Sequence, residues 1–301
     1  MTCIKCNLLF YADDSALLVL GTDPETISQK LSQELKSCHD WLIDNKLSLH
    51  AGKTESILFS TKRKNNPNNN FHVFCNATPI KRVNSIKYLG LTLDSTLSGE
   101  SILSNIIKKA TSRLKFLYRY KTILKEQCRK ILCSALIQCH LDYSCSSWYT
   151  SLNKLQKNKL QVVQNKIIRF ILDLGPRAHI GSIEFNRVNM LPVSDRVKQL
   201  KLNHVFKIFN NHCPEYLKEN FNKIKDTQLS ICTRASTNNL FLPRVKNQAS
   251  HSFYFSAIKE WNILPSKVKD ISSEVTFKLS IRDHLLRELQ NKESCPFIYY
   301  V

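Results

Sequence analysis

Two adjacent carboxylates, Asp13 and Asp14, interrupt the most apolar stretch of the chain, residues 8–20. The stretch is too short to cross a bilayer as a helix, and two charges at its centre would make insertion costlier still. The pattern predicts a β-hairpin. Residues 7–12 form one strand, Asp13-Asp14 the tip, and residues 15–20 the return strand. Asp-Asp makes such a turn less readily than Asp-Gly. Because the flanking strands are almost wholly apolar, the pair is expected at the edge of a buried sheet.

Carboxylates paired on a rigid hairpin project together, an arrangement suited to holding Mg²⁺ against substrate phosphates. Magnesium takes oxygen ligands and is usually held by one or two carboxylates plus phosphate oxygens. Two-metal nucleotidyl transfer needs more than this pair, so a further carboxylate must face it from a neighbouring strand. The plainer alternative is a solvated turn, the usual fate of Asp-Asp between strands. The apolar flanks shift the balance towards the metal site and leave the solvated turn open.

Downstream, a helix is expected after Thr22 or Asp23 as N-cap, with Pro24 at its first position and Glu25 in its first turn. Ile27, Leu31, Leu35, Cys38 and Leu42 give it one apolar face, and Asn45 is a stop signal. Short strands are expected near 47–50, 56–60, 71–75 and 86–94, with a solvated loop over 62–70. From about residue 100 the apolar period becomes helical. Ile102, Ile106, Ala110, Leu114, Leu117 and Thr122 mark one helix, and Leu132, Leu136 and Ile137 a second. Leu152, Leu155, Leu160, Val163, Ile167 and Ile171 mark a third, with Ser151 as N-cap. Pro176 and Gly181 break the pattern. Helices follow near 194–211, 250–262 and 275–291, with a polar stretch around 225–247 read as mobile. The fold class predicted is α+β.

Charge divides the chain further. Residues 1–100 carry 11 basic and 10 acidic side chains, residues 101–200 carry 18 and 5, and residues 201–301 carry 15 and 9. The net charge of +20 predicts an anionic partner, and the middle third is its footprint. There Lys108, Lys109, Arg113, Lys115, Arg119, Lys121, Lys125, Arg129 and Lys130 crowd one helical stretch. Lys154, Lys157, Lys159, Lys166 and Arg169 repeat the arrangement on the next. Phe116, Tyr118 and Tyr120 are interleaved with the first set and are read as core aromatics, since stacking on bases would require exposure.

Eleven cysteines without disulfide spacing, and no secretory signal, predict an intracellular protein of the nucleus or cytoplasm, with no membrane partner. Cys3 and Cys6 have CxxC spacing without a second pair. Cys133, Cys139, His140 and Cys145 match no standard zinc pattern. They are read as small buried residues.

Tyr11-Ala12-Asp13-Asp14 between apolar strands resembles the polymerase motif of reverse transcriptases, in particular those of non-LTR retrotransposons (LINE, jockey/CR1-like). Leu47-Ser48-Leu49-His50-Ala51-Gly52-Lys53-Thr54-Glu55 is similar to the segment that follows in those enzymes. Ile86-Lys87-Tyr88-Leu89-Gly90-Leu91-Thr92-Leu93-Asp94 resembles their primer-gripping hairpin. His140-Leu141-Asp142-Tyr143 with Trp148, the run from Leu160 to Lys166, and Trp261-Asn262-Ile263-Leu264-Pro265 resemble their C-terminal region. The blocks occur in order over nearly the whole chain.

The resemblance implies RNA-directed DNA polymerase chemistry, with two Mg²⁺ in the intact enzyme, dNTP, an RNA template and a DNA primer. It implies a partial palm over 1–97, a basic helical thumb over 98–175, and a helical C-terminal region of unassigned role over 176–301. Asp13 would ligate metal and Asp14 support it; Lys53 would lie near the incoming triphosphate. Its plain reading is a surface lysine on a turn after Gly52. Tyr88, Leu89 and Gly90 would grip the primer, where the residues alone read as a buried strand with a bulge glycine. Lys108, Lys109, Arg113, Lys115, Arg119, Lys121, Lys154, Lys157, Lys166 and Arg169 would hold the duplex backbone. Enzymes of the family carry another catalytic Asp and the fingers upstream of this motif. With ten residues ahead of Tyr11, the expectation is a fragment inactive alone. The alternatives are a non-catalytic nucleic-acid-binding module and a decayed relic.

Overall fold

A computed structural model describes residues 7–61, 70–224, 239–245 and 247–294. The described residues fall into two compact units, one within 1–101 and the other within 102–301.

The first unit opens with the expected hairpin, β1 (Asn7–Tyr11) and β2 (Asp14–Leu18), antiparallel with Tyr11 opposite Asp14. The register is one residue off the expected one. The two-residue loop is Ala12-Asp13, and Asp14 already belongs to the return strand. Ala12 takes the positive φ (53°) and Asp13 does not, the sign pattern of a II′ rather than a I′ turn. Among the described residues the sheet has only these two strands. It is therefore not the buried sheet expected: Leu9, Phe10, Tyr11 and Leu18 are exposed. Only Leu17 packs onto the core of the unit.

Helix α1 (Pro24–Asp44) begins as its sequence dictates: the Asp23 carboxylate accepts from the Thr26 amide at 2.8 Å, and Pro24 follows it. Its apolar face, through Leu35 with Ile27 and Leu31 alongside, covers Leu58, Phe71, Val73, Cys75 and Ile80. The remaining strands are shorter than predicted. Residues 47–50 form no strand, and a 3₁₀ turn at Ala51–Lys53 precedes β3 (Glu55–Ser56). Strands β4 (Phe74–Cys75) and β5 (Thr78–Pro79) pair antiparallel, while β6 (Lys81–Arg82) runs parallel to β3. Residues 86–94 are a second hairpin rather than one strand: β7 (Ser85–Tyr88) and β8 (Leu91–Asp94) joined at Leu89-Gly90. Both loop residues have positive φ (44° and 80°), so Gly90 serves a I′ turn and not a bulge. The loop expected over 62–70 lies almost wholly outside the described residues.

The second unit is helical. Helix α2 (Glu100–Tyr118) buries Ile102, Ile106, Ala110, Leu114 and Leu117. Helix α3 (Glu126–Cys133) continues through a π turn (Ser134–Gln138) into α4 (Cys139–Asp142), and α5 (Cys145–Trp148) follows. Helix α6 (Lys154–Leu172) is capped by Asn153 instead of Ser151. Asn153 Oδ1 accepts from the Gln156 amide and Gln156 Oε1 from the Asn153 amide, both at 2.9 Å. That reciprocal box is the stronger signal, because it satisfies two orphan donors at once. Leu155 is consequently in water, and Leu160, Ile167 and Ile171 are core.

Beyond α7 (Ser182–Val188), helix α8 (Val193–Phe209) packs on α9 (Phe253–Ile263), α10 (Ser266–Lys269) follows, and α11 (Glu274–Ser294) lies against α8. Phe206 stacks on Phe277 (centroids 4.2 Å apart) at the centre of this core. Most of the polar stretch around 225–247 lies outside the described residues.

Candidate functional site

The hairpin tip carries both carboxylates in water. Asp13 occupies the loop. Asp14, by strand alternation, shares a face with Leu9, Tyr11, Ala16 and Leu18, opposite the face through which Leu17 meets the core. Neither forms an ion pair among the described residues. Nor do the described residues bring together three His, Cys, Asp or Glu side chains able to hold a metal ion. The donor set is thus two adjacent, hydrated carboxylates: enough for one edge of a Mg²⁺ site completed by phosphate oxygens, and short of a two-ion centre.

Lys53 ends the 3₁₀ turn, exposed, with its amide donating to the His50 carbonyl at 3.0 Å. Tyr88, Leu89 and Gly90 form the tip of the β7–β8 hairpin. Immediately after β8, Asp94 organises the chain: its Oδ1 accepts from the Ser98 amide (2.9 Å) and Thr96 Oγ1 (2.8 Å), and its Oδ2 from Ser98 Oγ (3.0 Å). Burial pushes this carboxyl upward, but the Ser98 and Thr96 donors outweigh it and hold the group below the usual range. The sequence alone marks Asp94 only as a strand end.

The basic residues of the second unit separate into two groups. Lys108, Lys109, Lys115, Arg119, Lys154 and Lys166 are exposed and make no intramolecular ion pair among the described residues. The other four of the predicted set are engaged. Arg113 Nη1 donates to the Leu136 carbonyl at 3.0 Å, inside the π turn. Lys121 pairs with Asp173. Lys157 lies 5.2 Å over the Tyr149 ring, and Arg169 Nε donates to the Ala178 carbonyl at 2.8 Å. Arg129 is buried, between Asp173 and the Phe170 face. Beside Arg113 and Lys109, burial first and their charges second hold the His140 imidazole below its ordinary value.

The interleaved aromatics are not core residues: Phe116, Tyr118 and Tyr120 are 52%, 43% and 45% exposed. Helical periodicity placed them beside buried positions, but Leu114 and Leu117 take the inward face and leave 116 and 120 outside.

Several resembling blocks turn out to hold the fold. Asp142 accepts from Arg196 Nη2 and Gln138 Nε2, each at 2.8 Å, and Trp148 Nε1 donates to the Tyr143 carbonyl at 3.1 Å. Within the run after Leu160, the buried Gln164 donates to the Leu191 carbonyl at 2.9 Å. Asn262 brackets the Leu240 backbone with two 2.8 Å bonds, as a neighbouring strand would. Cys133 and Cys145 are buried thiols pushed up to about 12 by burial. Cys3 and Cys6 lie outside the described residues. No helix among the described residues is long and apolar enough to cross a membrane.

The described residues thus present an acidic hairpin tip in the first unit and helices with exposed, unpaired cations in the second. The chain is similar to RNA-directed DNA polymerases of LINE-like retrotransposons. A probable RNA-directed DNA polymerase from transposon X-element of Drosophila melanogaster is 21% identical over 215 residues, 70% of this chain and 22% of that protein. The RNA-directed DNA polymerase from mobile element jockey is 24% identical over 164 residues in D. melanogaster and 23% in D. funebris. Each match covers 54% of this chain and 17% of the relative. The chain therefore spans less than a quarter of the length of these curated relatives. No profile of a known protein family matches it, and no solved structure does.

Proposed function

We propose that this chain is part of a retrotransposon reverse transcriptase, comprising palm residues around Asp13 and Asp14 and a thumb formed by the basic helices. The observation that carries the reading is the β1–β2 hairpin, which holds both carboxylates of Tyr11-Ala12-Asp13-Asp14 at an exposed tip. Similarity to polymerases of LINE-like elements supports it. In the complete enzyme, Asp13 and Asp14 would be ligands on one side of the Mg²⁺ centre, and the ions would supply the activation of the primer hydroxyl and the neutralisation of pyrophosphate. Lys53 would face the dNTP phosphates, and Tyr88-Leu89-Gly90 would position the primer end. The free cations of α2 and α6 would hold the RNA–DNA backbone, an interaction that is sequence-independent and salt-sensitive.

On this reading the chain by itself leaves the primer unextended, because the described residues bring no third carboxylate to Asp13 and Asp14. The purified chain, given an RNA template, DNA primer, dNTPs and Mg²⁺, is expected to bind the hybrid and leave the primer unextended. Extension abolished by Asp13→Ala would sink the claim of inactivity, and absence of salt-dependent hybrid binding would sink the reading as a whole. The exposed, unpaired cations of α2 and α6 favour one second reading, a non-catalytic nucleic-acid-binding module. Assay of a longer chain that carries the upstream polymerase segments separates the two, since only the first predicts Asp13-dependent synthesis.

A further inference from the structure

Resting on the nucleic-acid reading above, we infer that α2 ends in a stacking platform that selects unpaired bases, so that this face binds single-stranded nucleic acid. Two parallel rows run along the exposed side of the helix. Lys109, Arg113 and Phe116 recur at i, i+4 and i+7, and Tyr120 continues the row through the turn after the helix. Lys108, Lys115 and Arg119 form the row beside it. The helix has one acid, Glu100, at its far end, and among the described residues Lys108, Lys109, Lys115 and Arg119 make no ion pair. The two rows extend over roughly 18 Å, enough for several nucleotides.

The aromatic end is built for a base. Phe116 and Tyr120 are about half exposed, with ring centroids 5.4 Å apart and planes at 60°. Two rings at that angle form an open corner, and each leaves ring surface to solvent. Tyr118 is different: its ring packs edge-on against Phe170 at 4.9 Å, with Lys121 5.8 Å over it, and belongs to the helix–helix contact. Exposed aromatics next to free lysines and arginine combine the two elements of sequence-tolerant single-strand binding: π faces for bases and cations for the intervening phosphates. A duplex offers the cations its phosphates but keeps its base faces covered. The corner therefore discriminates, whereas the cations do not.

The test uses the full chain, a fluorescent oligo(dT) and a blunt-ended RNA–DNA duplex, read by anisotropy over a salt series. Phe116→Ala with Tyr120→Ala is expected to weaken oligo(dT) binding roughly tenfold or more and leave duplex binding and the salt slope unchanged. An abasic oligonucleotide should bind wild type as weakly as oligo(dT) binds the variant, with no further loss when both changes are combined. Lys115→Gln with Arg119→Gln should weaken both ligands and flatten the single-strand salt slope, by roughly 0.7 for each phosphate no longer neutralised. The rings are at the surface, so an unchanged unfolding midpoint is expected and checks the fold. Equal loss on both ligands, or no loss on oligo(dT), overturns the platform and leaves the polymerase reading standing. A wild-type chain that binds neither ligand overturns both.

Discussion

Lys201 offers the sharpest test of the second unit's energetics. It sits on α8, only 4% exposed, with Nζ donating to Ser256 Oγ on α9 at 3.0 Å. Burial pulls its ammonium from 10.5 to about 8, against an upward pull from Glu260. That displacement corresponds to about 3 kcal/mol disfavouring the charged form in the fold. Lys201→Met keeps the unbranched stem and removes the charge. The hydrogen bond removed is worth about 1 kcal/mol, and Ser256 Oγ keeps its own acceptor, the Phe253 carbonyl at 3.0 Å. The substitution should therefore stabilise the unit by about 2 kcal/mol at pH 7, about 4–8 °C in Tm. Below pH 8 folded and unfolded lysine are both protonated, and the penalty is complete and constant. Between pH 8 and 10.5 the unfolded chain holds a proton that the folded one has released, so wild-type stability climbs with pH; above 10.5 the penalty has gone. The variant lacks this climb, and its advantage should shrink from pH 7 to pH 10.5. Urea unfolding followed by fluorescence of the buried Trp148 and Trp261 measures both quantities. A variant less stable at pH 7, or an advantage independent of pH, would refute the reasoning.

Gln164→Leu should cost about 1–3 kcal/mol despite its apolar surroundings, because the Leu191 carbonyl loses its 2.9 Å donor; a neutral result in urea unfolding would show that water replaces it. Asp94→Ala should loosen the junction before α2, seen as faster amide exchange at Thr96 and Ser98. Since the folded pKa of Asp94 is lowered, its contribution is complete above the unfolded value and is lost as pH falls through the folded one. In wild type the same amides should therefore lose protection only in acid, and protection unchanged there would contradict the assignment. Ala12→Gly should stabilise the β1–β2 hairpin by about 1 kcal/mol by relieving a positive φ, read as slower exchange of the strand amides.

The sequence by itself determined whatever depends on a few neighbouring residues. Asp23, Pro24 and Asn45 delimit α1 within a residue at each end, because caps act through local hydrogen bonds. The helical period beyond residue 100 and the helices near 194–211 and 275–291 were legible for the same reason. So was the acidic hairpin, although its turn lies one residue earlier than Asp13-Asp14, since the chain places Ala12 at the positive φ.

Only the tertiary structure decided which side of each element meets water. It exposed Phe116 and Tyr120, buried Arg129, and committed Arg113 to the π-turn carbonyl of Leu136. It also left the apolar β1–β2 hairpin uncovered on the face that carries Asp14. Periodicity reports that a residue lies near an apolar face. Burial depends on what another element, distant in sequence, brings to that face, and for Asp13 and Asp14 the described residues bring no third carboxylate.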